Sequence, residues 1–191
     1  MWGAPIAQAD HAELACRAAE QMMAVLPEIS ERWHDKLGKP LRLGIGINSG
    51  IARVGNTGSR QKFKYGPLGD TVNVASRVKG ATKYLGADCL ITGTTLSALK
   101  SPPPTRRLAK VQVVNIEQPV DLYELACSPP VTWQQQCDRY NEALGALENR
   151  DMGTAEQLAQ KLAADFPEDS AAAALAQRVG EAQDGDPGFD T

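Results

Sequence analysis

The chain has 191 residues, 42% hydrophobic and 23% charged, an ordinary globular composition that suits one domain plus a small appendage. No apolar run approaches the length of a membrane span and the start carries no signal peptide, so a cytoplasmic chain is expected, whether or not a longer parent is anchored upstream. The net charge of −3 is unevenly spread, with about +5 on residues 1–132 and about −8 on residues 133–191. The mild basicity of the first part suits an anionic small molecule and is too weak to argue for nucleic acid.

Asp10-His-Ala-Glu13 has capping-box spacing, with Glu13 placed to reach back to the Asp10 amide. A helix is predicted to follow, with Leu14, Ala18, Met22, Leu26, Ile29, Trp33 and Leu37 on one stripe. Pro27 is expected to kink or split it, and Gly38 and Pro40 to end it. Leu41–Ile47 alternates as a strand up to Asn48-Ser-Gly50. A second strand, Ile-Ala-Arg-Val-Gly-Asn, then reads as its hairpin partner. Lys62–Tyr65 is a short strand. A helix is predicted from Asp70 or Thr71 to Gly86, with Asp70 as a side-chain cap.

Cys89–Thr92 reads as a strand, Thr94–Leu99 as a short helix, and Ser101-Pro-Pro-Pro104 as a rigid loop. Strands are predicted at Leu108–Val114 and Val120–Ala126. Residues 127–132 are a linker by composition. Helical patterns follow at 133–148, 154–166 and 169–179, and residues 180–191 are expected to be a disordered tail. Cys16, Cys89, Cys127 and Cys137 lack the close pairs of a zinc site and read as reduced thiols, and no metal ligands are assigned.

Gly44-Ile-Gly46-Ile-Asn-Ser-Gly50 superficially matches a dinucleotide fingerprint, but a second β-branched run follows where a phosphate-facing helix is needed. Asn73 and Arg77 stand four residues apart on one helix face. Such a pair can converge a carboxamide and a guanidinium fork on one anion, or can simply be a solvated face. Periodicity leaves both open.

The stretch GIGINSGIARVGNTGSRQKFKYGPLGDTVNVASRVKGAT resembles the central part of a class III nucleotidyl cyclase catalytic domain. The matching elements are the Gly-Ile-x-x-Gly segment, the Val54–Asn56 turn, the Tyr65 strand and the run from Gly69 to Arg77. MWGAPIAQADHAELACRAA resembles the family's Gly-Ala-Pro turn and following helix, and QPVDLYELA its last strand. The resemblance spans residues 1–126. It implies an α+β, ferredoxin-like or cyclase-type fold, with a mostly antiparallel sheet, helices on one face, and an incomplete N-terminal side. A small all-α segment at 133–179 follows the 127–132 linker.

By this resemblance Asn73 and Arg77 match the pair that orients the ribose and meets charge on the α-phosphate during conversion of ATP (or GTP) to a cyclic nucleotide and pyrophosphate. Gly66 takes the base-reading position, where Asp or Thr is usual for adenine. Val114-Asn-Ile116 stands where members often carry Lys-Gly-Lys. The family's two metal-holding Asp residues, for Mg or Mn, and a base-reading Lys lie upstream of the Gly-Ala-Pro turn, so none is expected in this chain. The site is expected to form in an antiparallel homodimer.

The stretch from Ala155 to Pro167, with Leu158 and Leu162, resembles the second helix of a tetratricopeptide-like repeat. Trp133 and Tyr140 resemble its first helix, displaced upstream, which suggests a protein partner for this segment. The other reading of the whole chain is a non-catalytic, cyclase-like dimerisation or regulatory module.

Overall fold

The computed structural model describes residues 1–58, 62–112 and 118–183. Helix α1 (His11–Leu37) runs unbroken through Pro27, so the expected split does not occur. Around Pro27 the helix is largely exposed, and water can satisfy the carbonyl that the missing N–H leaves behind. Its end is as expected: Gly38 takes φ 64°, and its N–H returns 2.8 Å to the His34 carbonyl. The start is not. Asp10 caps nothing with its side chain, and Glu13 accepts instead from the Lys100 N–H at 2.8 Å. The buried stripe also differs from the predicted one. Ala12, Ala15, Cys16 and Ala19 are buried, whereas Met22, Ile29, Trp33 and Leu37 stay 37–44% exposed.

The predicted pairing of the first two strands is also corrected. Strand β1 (Ile45–Ile47) pairs in parallel with β4 (Cys89–Thr92), while β2 (Arg53–Gly58) pairs antiparallel with β3 (Phe63–Leu68) in a separate ribbon. The cause lies in Asn48, at the end of β1. Its amide donates 2.9 Å to the Thr71 carbonyl and its oxygen accepts from Thr92 Oγ1 at 2.8 Å, which carries the chain across the sheet end. Thr71 Oγ1 then donates to the Ile51 carbonyl at 2.6 Å.

The main sheet has the order β1-β4-β6-β5, with β5 (Thr105–Val111) and β6 (Val120–Leu125). Two of its three pairings are antiparallel, as expected for an α+β domain of this kind. Helices cover both faces rather than one, because the strands carry apolar side chains on both of their alternating faces. Cys89, Ile91 and Leu125 face Ala12, Cys16 and Ala19 of α1, beside α3 (Gly93–Ser97). Leu90, Leu108 and Leu122 face the opposite core, where α2 (Asp70–Leu85) contributes Val74, Val78, Ala81 and Leu85.

That second core continues into the C-terminal helices α4 (Trp133–Glu148), α5 (Met152–Asp165) and α6 (Ser170–Gln183). Tyr140, Ala159, Leu162, Leu175 and Val179 are each at most 1% exposed. A fully buried Leu or Val contributes about 1.5–3 kcal/mol. Helix α6 extends through Gln183, into the stretch expected to be disordered; residues 184–191 lie outside the described residues.

One ion cluster fastens this layer. Arg106 on β5, 1% exposed at its side chain, donates to Glu124 Oε2 (2.6 and 3.0 Å) and to both oxygens of Asp169 (2.6 and 2.9 Å). Its guanidinium lies 4.9 Å from the Trp133 ring and 4.8 Å from the Tyr140 ring. Burial opposes its charge, but the two carboxylates hold its pKa above the usual guanidinium range.

Candidate active site

The elements that place Asn73 and Arg77 are set by glycine. A Cβ on Gly46 would sit 2.3 Å from the Lys79 amide nitrogen and 2.7 Å from the Ala75 carbonyl oxygen. One on Gly44 would sit 2.7 Å from Thr82 Oγ1. The paired glycines therefore serve close strand-to-helix approach, not phosphate binding. They bring β1 directly under the middle of α2.

Helix α2 starts at Asp70 with Gly69, φ 117°, as its N-cap. The expected Asp70 cap is absent; its carboxylate lies in the first turn, where the helix dipole favours negative charge. Val74, Val78 and Ala81 of α2 are buried in the second core. Asn73 is exposed, and Arg77, one turn further on, is half-buried at the edge of that apolar face. The pair thus shares one flank of α2, opposite the backbone atoms of Ala75 and Lys79 that meet Gly46.

Gly66 lies on β3 opposite Gly55 on β2. A Cβ at either position would meet nothing within 4 Å, so packing does not demand the missing side chain. Pro67 and Val54 of this ribbon share a cavity of about 580 Å³ with Asn48, Thr71, Val72 and Ala75. Gly66, Asn73 and Arg77 are not on its wall. The Val114–Ile116 loop lies outside the described residues.

Among the described residues, no three His, Cys, Asp or Glu side chains cluster in a way that could hold a metal ion. The described side chains by themselves therefore do not fit the divalent metal that the cyclase family uses. The four cysteines are free; burial pushes the thiols of Cys16 and Cys137 up to about 11, which leaves them protonated and unreactive. No described helix is long and apolar enough to cross a membrane.

Two sets of residues could not be singled out from sequence as a site. Asn48 reads there as a turn residue, yet it joins β1, α2 and β4. Arg106 carries a signal that alternation offers: it shares a sheet face with Leu108, and Glu124 shares one with Leu122. Trp133 and Tyr140, which resembled repeat positions, flank this guanidinium.

The mixed, mostly antiparallel sheet with helix α2 seated on it by glycine agrees with the cyclase resemblance of the sequence. Residues 1–122 match the family model described as the adenylate and guanylate cyclase catalytic domain, and the chain belongs to that family. It is 34% identical over 125 residues to adenylate cyclase 1 of Rhizobium meliloti (strain 1021), covering 65% of this chain and 19% of that protein. It is 31% identical over 120 residues to the adenylate cyclase of Anabaena cylindrica, covering 59% of this chain and 24% of that one. The match thus spans less than a quarter of either relative.

Among solved structures it is similar to the guanylyl cyclase Cya2, with a TM-score of 0.58 and 34% identity over 65% of this chain and 62% of that one. The adenylyl cyclase CyaB from P. aeruginosa superposes with a TM-score of 0.51 at 27% identity, over 63% of this chain and 62% of that one.

Proposed function

We propose that this chain contributes the Asn/Arg part of a cytoplasmic cyclase site that converts ATP to cyclic AMP and pyrophosphate within an antiparallel homodimer. The observation that carries this reading is that Asn73 and Arg77 lie one turn apart on the same flank of α2, Asn73 exposed and Arg77 half-buried, beside buried Val74 and Val78. In the reaction the ribose 3′-oxygen bonds to the α-phosphorus, its proton is lost, and the bond to pyrophosphate breaks. Negative charge grows on the phosphoryl oxygens and the leaving group. A guanidinium fork at position 77 meets that charge, and the Asn73 carboxamide orients the ribose. Mg or Mn is the proposed cofactor of the complete enzyme; no group of three ligands for it occurs among the described residues.

Two adenylate cyclases among the relatives favour ATP, while a guanylyl cyclase among the structural neighbours keeps GTP in view. Gly66 offers the purine edge no hydrogen-bonding side chain. The exposed stripe of Met22, Ile29, Trp33 and Leu37 along α1 supports assembly with another chain. The acidic C-terminal helices are the proposed surface for a protein partner.

The 191-residue chain alone should show no cyclase turnover. Extended upstream to a complete cyclase domain, it should be active, and Arg77→Ala should cost about 10³-fold in kcat. An unchanged kcat in that variant removes Arg77 from the mechanism. A second reading, a non-catalytic cyclase-like module, is favoured by the lack of a metal-binding cluster among the described residues. Under that reading the extended protein dimerises in sedimentation yet neither binds nor turns over ATP or GTP.

A further inference from the structure

A second cavity, of about 590 Å³, lies far from Asn73, at the C-terminal end of α2. It opens between Gly86, the end of β6, the 126–132 connection and the turn before α6. Five carboxylates line it (Asp88, Glu124, Asp165, Glu168 and Asp169), against one lining cation, Arg106. Arg42 and Arg139 pair with Asp88 and Asp165 from outside, which still leaves more negative than positive charge. The negative end of the α2 dipole points the same way. The positive end of α6 is already met by Asp169, which accepts from the Ala171 and Ala172 amides at 3.1 Å.

Two polar groups on this wall have no partner among the described residues. Arg106 engages Glu124 only through Oε2, which leaves Oε1 without a donor. Gln136, 7% exposed, has a carboxamide that makes no hydrogen bond. The Glu124 side chain is 18% exposed and neither unpaired group is cut off from solvent, so both are open to a ligand in the cavity. Burial pushes the Glu124 carboxyl above its ordinary range despite Arg106, and an added cation would relieve that penalty. Phe166 and Trp133 supply apolar walls beside these groups.

We propose that this cavity is a binding site for a small organic amine in its protonated form, whose ammonium is held by Glu124 Oε1 and the Gln136 carboxamide oxygen and whose apolar body lies against Phe166 and Trp133. The volume is that of a small-molecule site and far exceeds what a bare ion needs. The site is independent of the cyclase reading, since none of its residues belongs to the Asn73/Arg77 surface.

The test titrates the isotopically labelled full chain with 2-phenylethylamine, with 2-phenylethanol as the neutral isostere and 3-phenylpropanoate as the anion. The Gln136 side-chain amide signals, assigned by their loss in Gln136→Met, are followed by NMR. The amine should shift them saturably with a Kd of about 1 mM or tighter, and the alcohol should bind at least about tenfold more weakly. The carboxylate should not bind. Glu124→Gln should weaken amine binding about tenfold; should that variant fail to fold, Gln136→Met, followed through neighbouring backbone amides, should weaken it several-fold. Absence of a saturable shift, equal binding of amine and alcohol, or unchanged affinity in the folded variants overturns the proposal.

Discussion

Replacing Asp169 with Ala tests whether the C-terminal helices are part of the domain or an appendage to it. The Asp169 side chain is 5% exposed, accepts from Arg106 at 2.6 and 2.9 Å, and caps α6 through the Ala171 and Ala172 amides. Its removal leaves a buried guanidinium held by a single Glu124 oxygen. Breaking a buried pair from one side costs about 3–5 kcal/mol, and a lost cap typically about 1 kcal/mol. The two penalties share an atom, so about 4 kcal/mol is expected in all. For a chain of this size that lowers Tm by roughly 8–16 °C.

The assay is urea and thermal unfolding by circular dichroism, with Glu28→Ala as a control at the exposed Arg32–Glu28 pair. The control should change stability by less than about 0.5 kcal/mol. Asp169→Asn should fall between, because an amide oxygen still accepts from the helix amides but carries no charge. The transition should stay single, since one apolar core includes Leu90, Leu108, Tyr140 and Leu175. A loss below about 1 kcal/mol, or a sheet that melts at its original midpoint while the helices melt early, refutes the reasoning.

Gly46→Ala places a methyl against backbone atoms of α2, 2.3 Å from the Lys79 nitrogen, and should cost about 1–3 kcal/mol in a thermal melt. Gly66→Thr fills open space and should stay within about 0.5 kcal/mol of the parent, while in a complete cyclase domain it should raise the ATP-over-GTP ratio of kcat/KM. Asp151 is held below its ordinary value of 3.8 by hydrogen bonds from Thr154. Between its lowered value and 3.8 the unfolded chain binds more protons than the native one. Its contribution is therefore complete above that window and is lost as pH falls through it. Asp151→Asn should flatten this part of the acid-unfolding profile, measured as urea midpoint against pH.

Where a segment's hydrogen bonds are spent locally, its structure was legible in the sequence. Helix α2 runs from Asp70 to Leu85, with Gly86 as its left-handed cap, close to the predicted bounds. The three C-terminal helices are similarly close. Local rules failed where a side chain found a distant partner. Glu13 has the spacing of a capping box, but the Lys100 amide lies within reach and takes its oxygen. Asn48 looks like a hairpin turn, but bonds to Thr71 and Thr92 carry the chain elsewhere. The large apolar residues of α1 form a good stripe, yet the sheet takes the small ones, because Ala12, Ala15 and Ala19 allow the closer approach. Of the candidate site, spacing showed only the existence of a polar pair; its placement on the flank away from β1 depends on Gly44 and Gly46 beneath the helix.

The placement of α2 links the two halves of the molecule. Its underside is fixed by the glycine contacts to β1, and its first turn by Asn48 and by the Thr71–Ile51 bond. Its end is fixed by α6: a Cβ on Gly86 would sit 2.2 Å from the Ser170 carbonyl oxygen, and Arg178 lies 5.8 Å over the Tyr84 ring. Ser170 in turn follows Asp169, which is bound to Arg106 on β5. A shift of the C-terminal helices cannot therefore leave α2 where it is, since backbone meets backbone at that contact. The acidic segment that composition set apart is mechanically continuous with the helix that presents Asn73 and Arg77.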